Sequence, residues 1–143
     1  MESIVYKPIG YVKSPYTSRE DMPRFYTDSG EVTAKLELQP EYKDALLGVE
    51  RGMKLLMLFH FHQGSKHSLQ VKKRGTGPIT GVFATRSPSR PNLIGASVIE
   101  VVRVDGTVIE FIGVDVLDGT PVLDLKLQKD SHFVCRLSKK RIT

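Results

Sequence analysis

One cysteine, no tryptophan and no apolar run long enough to cross a bilayer set the first limits on this chain. Cys135 has no partner, so an internal disulfide cannot brace the fold, which accords with a reducing compartment; a cytoplasmic location is the expectation. The longest apolar run, near residues 55–61, falls far short of the ~20 residues a spanning helix needs. The first twenty residues carry Glu2, Lys7, Pro8, Lys13 and Pro15, which leaves no room for the apolar core of a signal peptide. Also missing are a glycine-rich strand-to-helix fingerprint for dinucleotides and a Walker phosphate loop. Internal repeats and low-complexity segments are absent.

What is present is ordinary in amount and uneven in placement. The chain has 143 residues, 40% hydrophobic and 26% charged, enough for one domain with a real core. Its net charge is +5. The tail from residue 129 to 143 holds Lys129, Arg136, Lys139, Lys140 and Arg141 against Asp130 alone. A second basic cluster, Lys72-Lys73-Arg74, precedes Gly75-Thr76-Gly77-Pro78. Such positive excess attracts phosphate backbones, and its plain alternative is a solvated basic surface.

Hydrophobic periodicity predicts strands. Residues 31–39 alternate, with Val32, Ala34, Leu36 and Leu38 on one side and Glu31, Thr33, Lys35 and Glu37 on the other. Pro40 opens a short helix over 41–47, which Gly48 ends. Residues 53–62 read as a strand buried on both faces, and 79–84 as another strand. Strands at 97–104 and 107–114 flank an Asp105-Gly106 hairpin signal. Residues 122–127 alternate again after the Asp118-Gly119-Thr120-Pro121 reversal, and 4–12 read as a strand interrupted at Pro8. The expected fold is mainly β: a small single-domain β-barrel of mostly antiparallel strands with one short helix, closed to hide its edges. Residues 14–30 form a long polar loop in which Arg19, Arg24, Phe25 and Tyr26 offer contact chemistry, as a closing flap would.

The segment from Gly81 to Ala96 carries the densest chemistry. It contains Arg86 and Arg90, two prolines, hydroxyls, Asn92 and Gly95. Prolines stiffen a loop, and a stiff loop presents arginine forks to a carboxylate or phosphate at low entropic cost. The bland reading is an ordered surface loop with two solvated arginines. His60 and His62 share a strand face with His67 nearby, but no carboxylate or cysteine adjoins them, and no metal site is expected. The strand end Phe61-His62-Gln63-Gly64 frees backbone groups for a ligand. Asp124 and Lys126 share a strand face, either as a plain ion pair or as a pair that orients a substrate. Cys135 reads as a packed small residue.

Four segments together resemble one family. They are Met22-Pro23-Arg24, then Phe61-His62-Gln63, then Gly81-Val82-Phe83-Ala84-Thr85-Arg86-Ser87 with Arg90-Pro91-Asn92 and Ile94-Gly95, and finally Leu117-Asp118-Gly119-Thr120-Pro121-Val122. In order and spacing they resemble the TsaA-like (TrmO-type) methyltransferases, and the opening Ile9-Gly10-Tyr11-Val12-Lys13-Ser14-Pro15-Tyr16 fits as well. The likeness covers about residues 5 to 127, which divides the chain into a barrel domain, 1–128, and a basic tail, 129–143. It implies an S-adenosylmethionine-dependent enzyme, usually a homodimer with the cofactor near the subunit interface. It also implies methylation of the exocyclic nitrogen of threonylcarbamoyl-adenosine beside the tRNA anticodon.

Carried over by position, cofactor contacts fall on Pro23, Arg24, Phe25, His62, Gln63, Arg86, Arg90, Leu117, Asp118, Gly119 and Thr120. The substrate-side pair is Asp124 and Lys126. Where bacterial-type members read Asp-Ile-Lys-Pro-Tyr, this chain has Asp124-Leu125-Lys126-Leu127-Gln128, and a basic tail stands where they continue into a larger C-terminal domain. Two other functions fit the residues without the likeness: a non-catalytic RNA-binding barrel, and a cofactor-dependent methyltransferase of a small molecule.

Overall fold

Alternating side chains become barrel staves when each strand can turn its apolar half inward and its polar half to water. The computed structural model of this chain describes residues 2–17, 33–62, 68–72, 76–113 and 116–128. Within them lie β1 (Gly10–Lys13), β2 (Thr33–Leu38), β3 (Lys54–His60), β4 (Gln70–Lys72), β5 (Ile79–Gly81), β6 (Ile94–Asp105), β7 (Val108–Ile112) and β8 (Pro121–Leu127). Six of these close a ring in the order β1-β2-β7-β6-β3-β8, every pairing antiparallel. β4 and β5 pair with each other outside the ring. The closed mainly-β barrel expected from the sequence is what forms.

The inward halves supply the core. Val12, Leu36, Met57, Ile99, Val101, Ile109, Phe111 and Val122 are essentially without solvent exposure. Alternation would put Val122, Asp124 and Lys126 on one face, and a bulge prevents it. Phe59 pairs with Val122 while Leu58 pairs with Asp124, so Leu123 is the extra residue. Val122 therefore points inward, whereas Leu125 and Leu127 pack against the core and Asp124 and Lys126 face outward.

Several expectations shift. The strand expected over 4–12 begins only at Gly10; its ladder opens with the Ile9 N–H donating to the Val122 carbonyl at 2.7 Å, just past Pro8, which has no N–H to give. The short helix is a 3₁₀ segment, Pro40–Leu46, that buries no side chain and so has no packed face to hold an α-helix. The strand over 53–62 buries only Leu55, Met57 and Phe59, with its other face half-buried rather than in core. The strand over 79–84 stops at Gly81, because Val82–Ala84 turn into a second 3₁₀ segment closed by the Thr85 N–H and hydroxyl on the Val82 carbonyl.

The β6–β7 hairpin forms one residue later than its signal suggests. Asp105 pairs with Val108, which leaves Gly106-Thr107 as the two-residue loop. Gly106 has φ 61° and Leu93 is the one described non-glycine with positive φ, so the turn is of type II′ with glycine first.

Candidate active site

Antiparallel closure decides which loops meet. β1 ends and β2 begins at the same rim as the end of β3, the start of β6, the end of β7 and the start of β8. The three long connections, β1 to β2, β3 to β6 and β7 to β8, thus all leave from one rim. The other rim carries the Pro40–Leu46 connection and the tight Gly106-Thr107 turn. Of the expected contacts, Pro23, Arg24, Phe25 and Gln63 lie outside the described residues, as do His67, Cys135 and the tail beyond 128.

The 117–120 turn is bound to β1 and to the end of β3. Asp118 N–H donates to the Tyr16 carbonyl at 2.7 Å, and Gly119 N–H to the Val12 carbonyl at 2.8 Å. Thr120 is buried, and both its N–H (3.2 Å) and its hydroxyl (2.7 Å) reach the Leu117 carbonyl. Gly119 holds φ 82°, the left-handed conformation that a side chain would strain. The Asp118 carboxylate accepts the Ser14 N–H at 3.0 Å, and Ser14 Oγ accepts the Tyr16 N–H at 3.0 Å. The N–H groups of Asp118, Gly119 and Thr120 are therefore spent on the scaffold. The Asp118 side chain stands exposed at this turn.

His62 sits across from this turn, its Nδ1 3.4 Å from the Thr120 hydroxyl. Partial cover by the protein lowers its pKa below imidazole's ordinary 6.5, His60 pushes the same way, and Asp118 opposes them. Among the described residues no group of three His, Cys, Asp or Glu could hold a metal ion.

The arginine loop is built from its own polar groups. Arg90 Nη1 donates to the carbonyls of Val82 (3.0 Å), Thr85 (2.9 Å) and Ser87 (3.2 Å), fixing the turn from inside. Ser87 N–H reaches Thr85 Oγ1 at 3.2 Å, and Ser89 N–H reaches Ser87 Oγ at 3.1 Å, two side-chain turns in succession. Arg86 is exposed and bonds the Ala96 carbonyl through one Nη. Two arginines that look alike in sequence thus differ in place: Arg90 braces the loop and Arg86 stands on it.

Leu93 carried no clear sequence signal. Leu93 is buried with φ 52°, a strained conformation for leucine, and its carbonyl accepts the Phe61 N–H at 2.8 Å. That bond ties the arginine loop's exit to the end of β3. Phe61 stacks edge-on against Phe59 at 5.2 Å, and both rings occupy the space a Cβ on Gly95 would need. The glycine in Ile94-Gly95 was the one available hint of this close approach.

Asp124 and Lys126 are brought to each other, 2.8 Å apart, but not to the rim cluster of the same chain. They face outward from the barrel wall, opposite Leu58 and Leu56, with the side chains about half exposed. Asp124 lies three residues beyond Pro121 at the rim, about 10 Å along the stave.

The family model for the tRNA-methyltransferase O N-terminal domain matches residues 11–129. An S-adenosyl-L-methionine-binding protein of Archaeoglobus fulgidus is 38% identical over 123 residues, covering 86% of this chain and 88% of that protein. The human tRNA (adenine(37)-N6)-methyltransferase is 35% identical over 133 residues, 87% of this chain but 30% of that protein. The crystal structure of TrmO from Pseudomonas aeruginosa superposes with a TM-score of 0.75 at 34% identity, covering 89% of this chain and 56% of that one. This chain therefore spans little more than half of the TrmO structure and less than a third of the human enzyme. With a six-stranded ring whose long loops share one rim, and a family match over most of its length, the chain belongs to the tRNA-methyltransferase O N-terminal domain family.

Proposed function

We propose that this chain is an S-adenosylmethionine-dependent tRNA methyltransferase, acting as a homodimer on N6 of threonylcarbamoyl-adenosine beside the anticodon. The observation that carries this reading is the shared rim, where Arg86 and His62 on the β3–β6 connection and Asp118 on the β7–β8 connection are anchored to the same end of one ring. Its residues suit the cofactor's charges. Arg86 offers a guanidinium fork to the methionine carboxylate, and Arg90 keeps that fork's loop in shape. His62, held neutral, adds no positive charge beside a sulfonium, while Asp118 adds a negative one. Bound there, the cofactor supplies an electrophilic methyl group; the protein's part is alignment, which contributes up to ~7–11 kcal/mol in favourable cases.

Asp124 and Lys126 fit this reading through a second copy. An ammonium 2.8 Å from its carboxylate is fixed in direction, suited to stabilising charge on the nitrogen that takes the methyl group. On the outer wall it is offered to a neighbouring protomer rather than to its own rim. Leu127 packs on the core and Gln128 N–H donates to the Lys54 carbonyl at 3.0 Å, so the stave stays regular where bacterial-type members carry proline and tyrosine.

The direct test is nucleoside analysis of tRNA, from cells lacking this enzyme, before and after incubation with protein and S-adenosylmethionine. A new N6-methylated threonylcarbamoyl-adenosine is expected, and a methyl group on no tRNA nucleoside would refute the reading. The shared-site arrangement makes its own prediction. Arg86→Ala and Lys126→Ala homodimers should each be inactive, and an equal mixture after subunit exchange should recover about a quarter of wild-type activity. No recovery would place both residues in one protomer's site.

Acid should weaken cofactor binding. Because the folded chain holds His62 below its ordinary pKa, the unfolded chain binds more protons near pH 6. His62 thus favours the folded state fully above pH 6.5, and that contribution declines as pH falls below it. The same protonation brings a second cation toward the sulfonium. Calorimetric affinity for S-adenosylmethionine is expected to hold steady above pH 7 and drop on acidification, and His62→Gln should flatten the profile.

A further inference from the structure

We propose that strands β4 and β5 and the Val82–Ala84 turn form the docking face for the unpaired loop of the RNA substrate, with Phe83 as the platform on which a base stacks. This rests on the tRNA methyltransferase reading and adds to it a surface and a residue. The first observation is charge segregation. From residue 51 to residue 99 the chain has eight lysines and arginines and no aspartate or glutamate. Six of those cations, Lys66, Lys72, Lys73, Arg74, Arg86 and Arg90, fall in the excursion between β3 and β6. The wall formed by β2, β7 and β6 is the opposite case, a mixed lattice in which Arg103 lies 3.7 Å from both Asp105 and Glu110.

The second observation is apolar surface left in water on that cationic excursion. Phe83 is 81% exposed, and Leu69 and Ile79 are each 68% exposed. The backbone beneath Phe83 is well held: Val82 is buried, its N–H donates to the Leu69 carbonyl at 3.0 Å, and its carbonyl accepts from Arg90 at 3.0 Å. An exposed aromatic ring on a well-held backbone, in a stretch of sequence rich in cations and free of acids, suits single-stranded RNA, whose bases stack on aromatics while phosphates meet lysine. Self-association through this face would oppose two like-charged surfaces. The excursion also carries Arg86, so a nucleotide stacked here is a neighbour of one delivered to the rim.

The test compares wild type with Phe83→Ala, Phe83→Leu and Phe83→Tyr. It measures methyl transfer from labelled S-adenosylmethionine to bulk tRNA of cells lacking this enzyme, filter binding of the same tRNA, cofactor calorimetry and sedimentation. Phe83→Ala is expected to raise the tRNA KM about tenfold with cofactor affinity within twofold of wild type. Tyrosine should restore the KM and leucine should not. The salt dependence of tRNA binding should stay unchanged in Phe83→Ala and lose about one unit of slope in Lys72→Ala. An unchanged KM, full rescue by leucine, or conversion of a dimer to monomer by Phe83→Ala would each overturn the inference. Wild type that binds cofactor yet methylates no tRNA would instead remove the reading beneath it.

Discussion

Arg86→Ala is expected to weaken S-adenosylmethionine binding at least tenfold while leaving the barrel folded. Charge-assisted hydrogen bonds contribute about 1.5–3 kcal/mol each, and a paired fork loses more than one. The side chain is exposed and bonds one carbonyl, that of Ala96, so its removal takes little from stability. Arg86→Lys keeps the charge without the planar fork and should recover only part of the affinity. Arg90→Ala should behave differently. Three carbonyls lose their donor, so the loop loosens, and the thermal midpoint falls together with affinity. Calorimetry on the three variants separates contact from bracing. Unchanged affinity in Arg86→Ala would remove that side chain from the cofactor site.

Gly10→Ala should cost about 3 kcal/mol, a larger stability loss than the same change at Gly95 or Gly48. A Cβ there would lie 2.4 Å from the Glu37 carbonyl oxygen and 2.9 Å from the Leu38 Cα. Both are backbone atoms of a paired stave, so neither can step aside without breaking register with β2. Gly95→Ala meets ring atoms of Phe59 at 2.5 Å and of Phe61 at 2.8 Å, and a tilted ring relieves part of that overlap. Gly48 provides the contrast: φ 89° with nothing within 4 Å, so alanine there incurs only left-handed strain of ~1–2 kcal/mol. Urea unfolding should rank the midpoints Gly10→Ala lowest, then Gly95→Ala, then Gly48→Ala. A Gly10→Ala protein as stable as Gly48→Ala would contradict the packing described at β1.

Much of this was readable beforehand because barrel staves write themselves in period two. The pattern over Ala34, Leu36 and Leu38 survives intact as the inward face of β2. The same rule misplaces Asp124 relative to Val122, since a bulge inserts Leu123 and periodicity has no symbol for an extra residue. The hairpin shift to Gly106-Thr107 has a similar origin: two adjacent frames were compatible with one glycine, and pairing with β7 chose between them. At the site, residue type announced Arg86 and Arg90 equally, and only the carbonyls that converge on Arg90 distinguish the brace from the exposed arginine. Leu93 was invisible because leucine in a left-handed conformation is a consequence of tertiary anchoring, with no propensity to betray it.

A ring with every stave bonded on both sides cannot slide one strand against the next without breaking a whole ladder. Motion that admits or releases ligands must then reside in the connections above the rim, not in the wall below. Amide exchange should accordingly fall into two tiers: Leu36, Met57 and Ile99 among the slowest, and the Ser87 to Asn92 amides orders of magnitude faster.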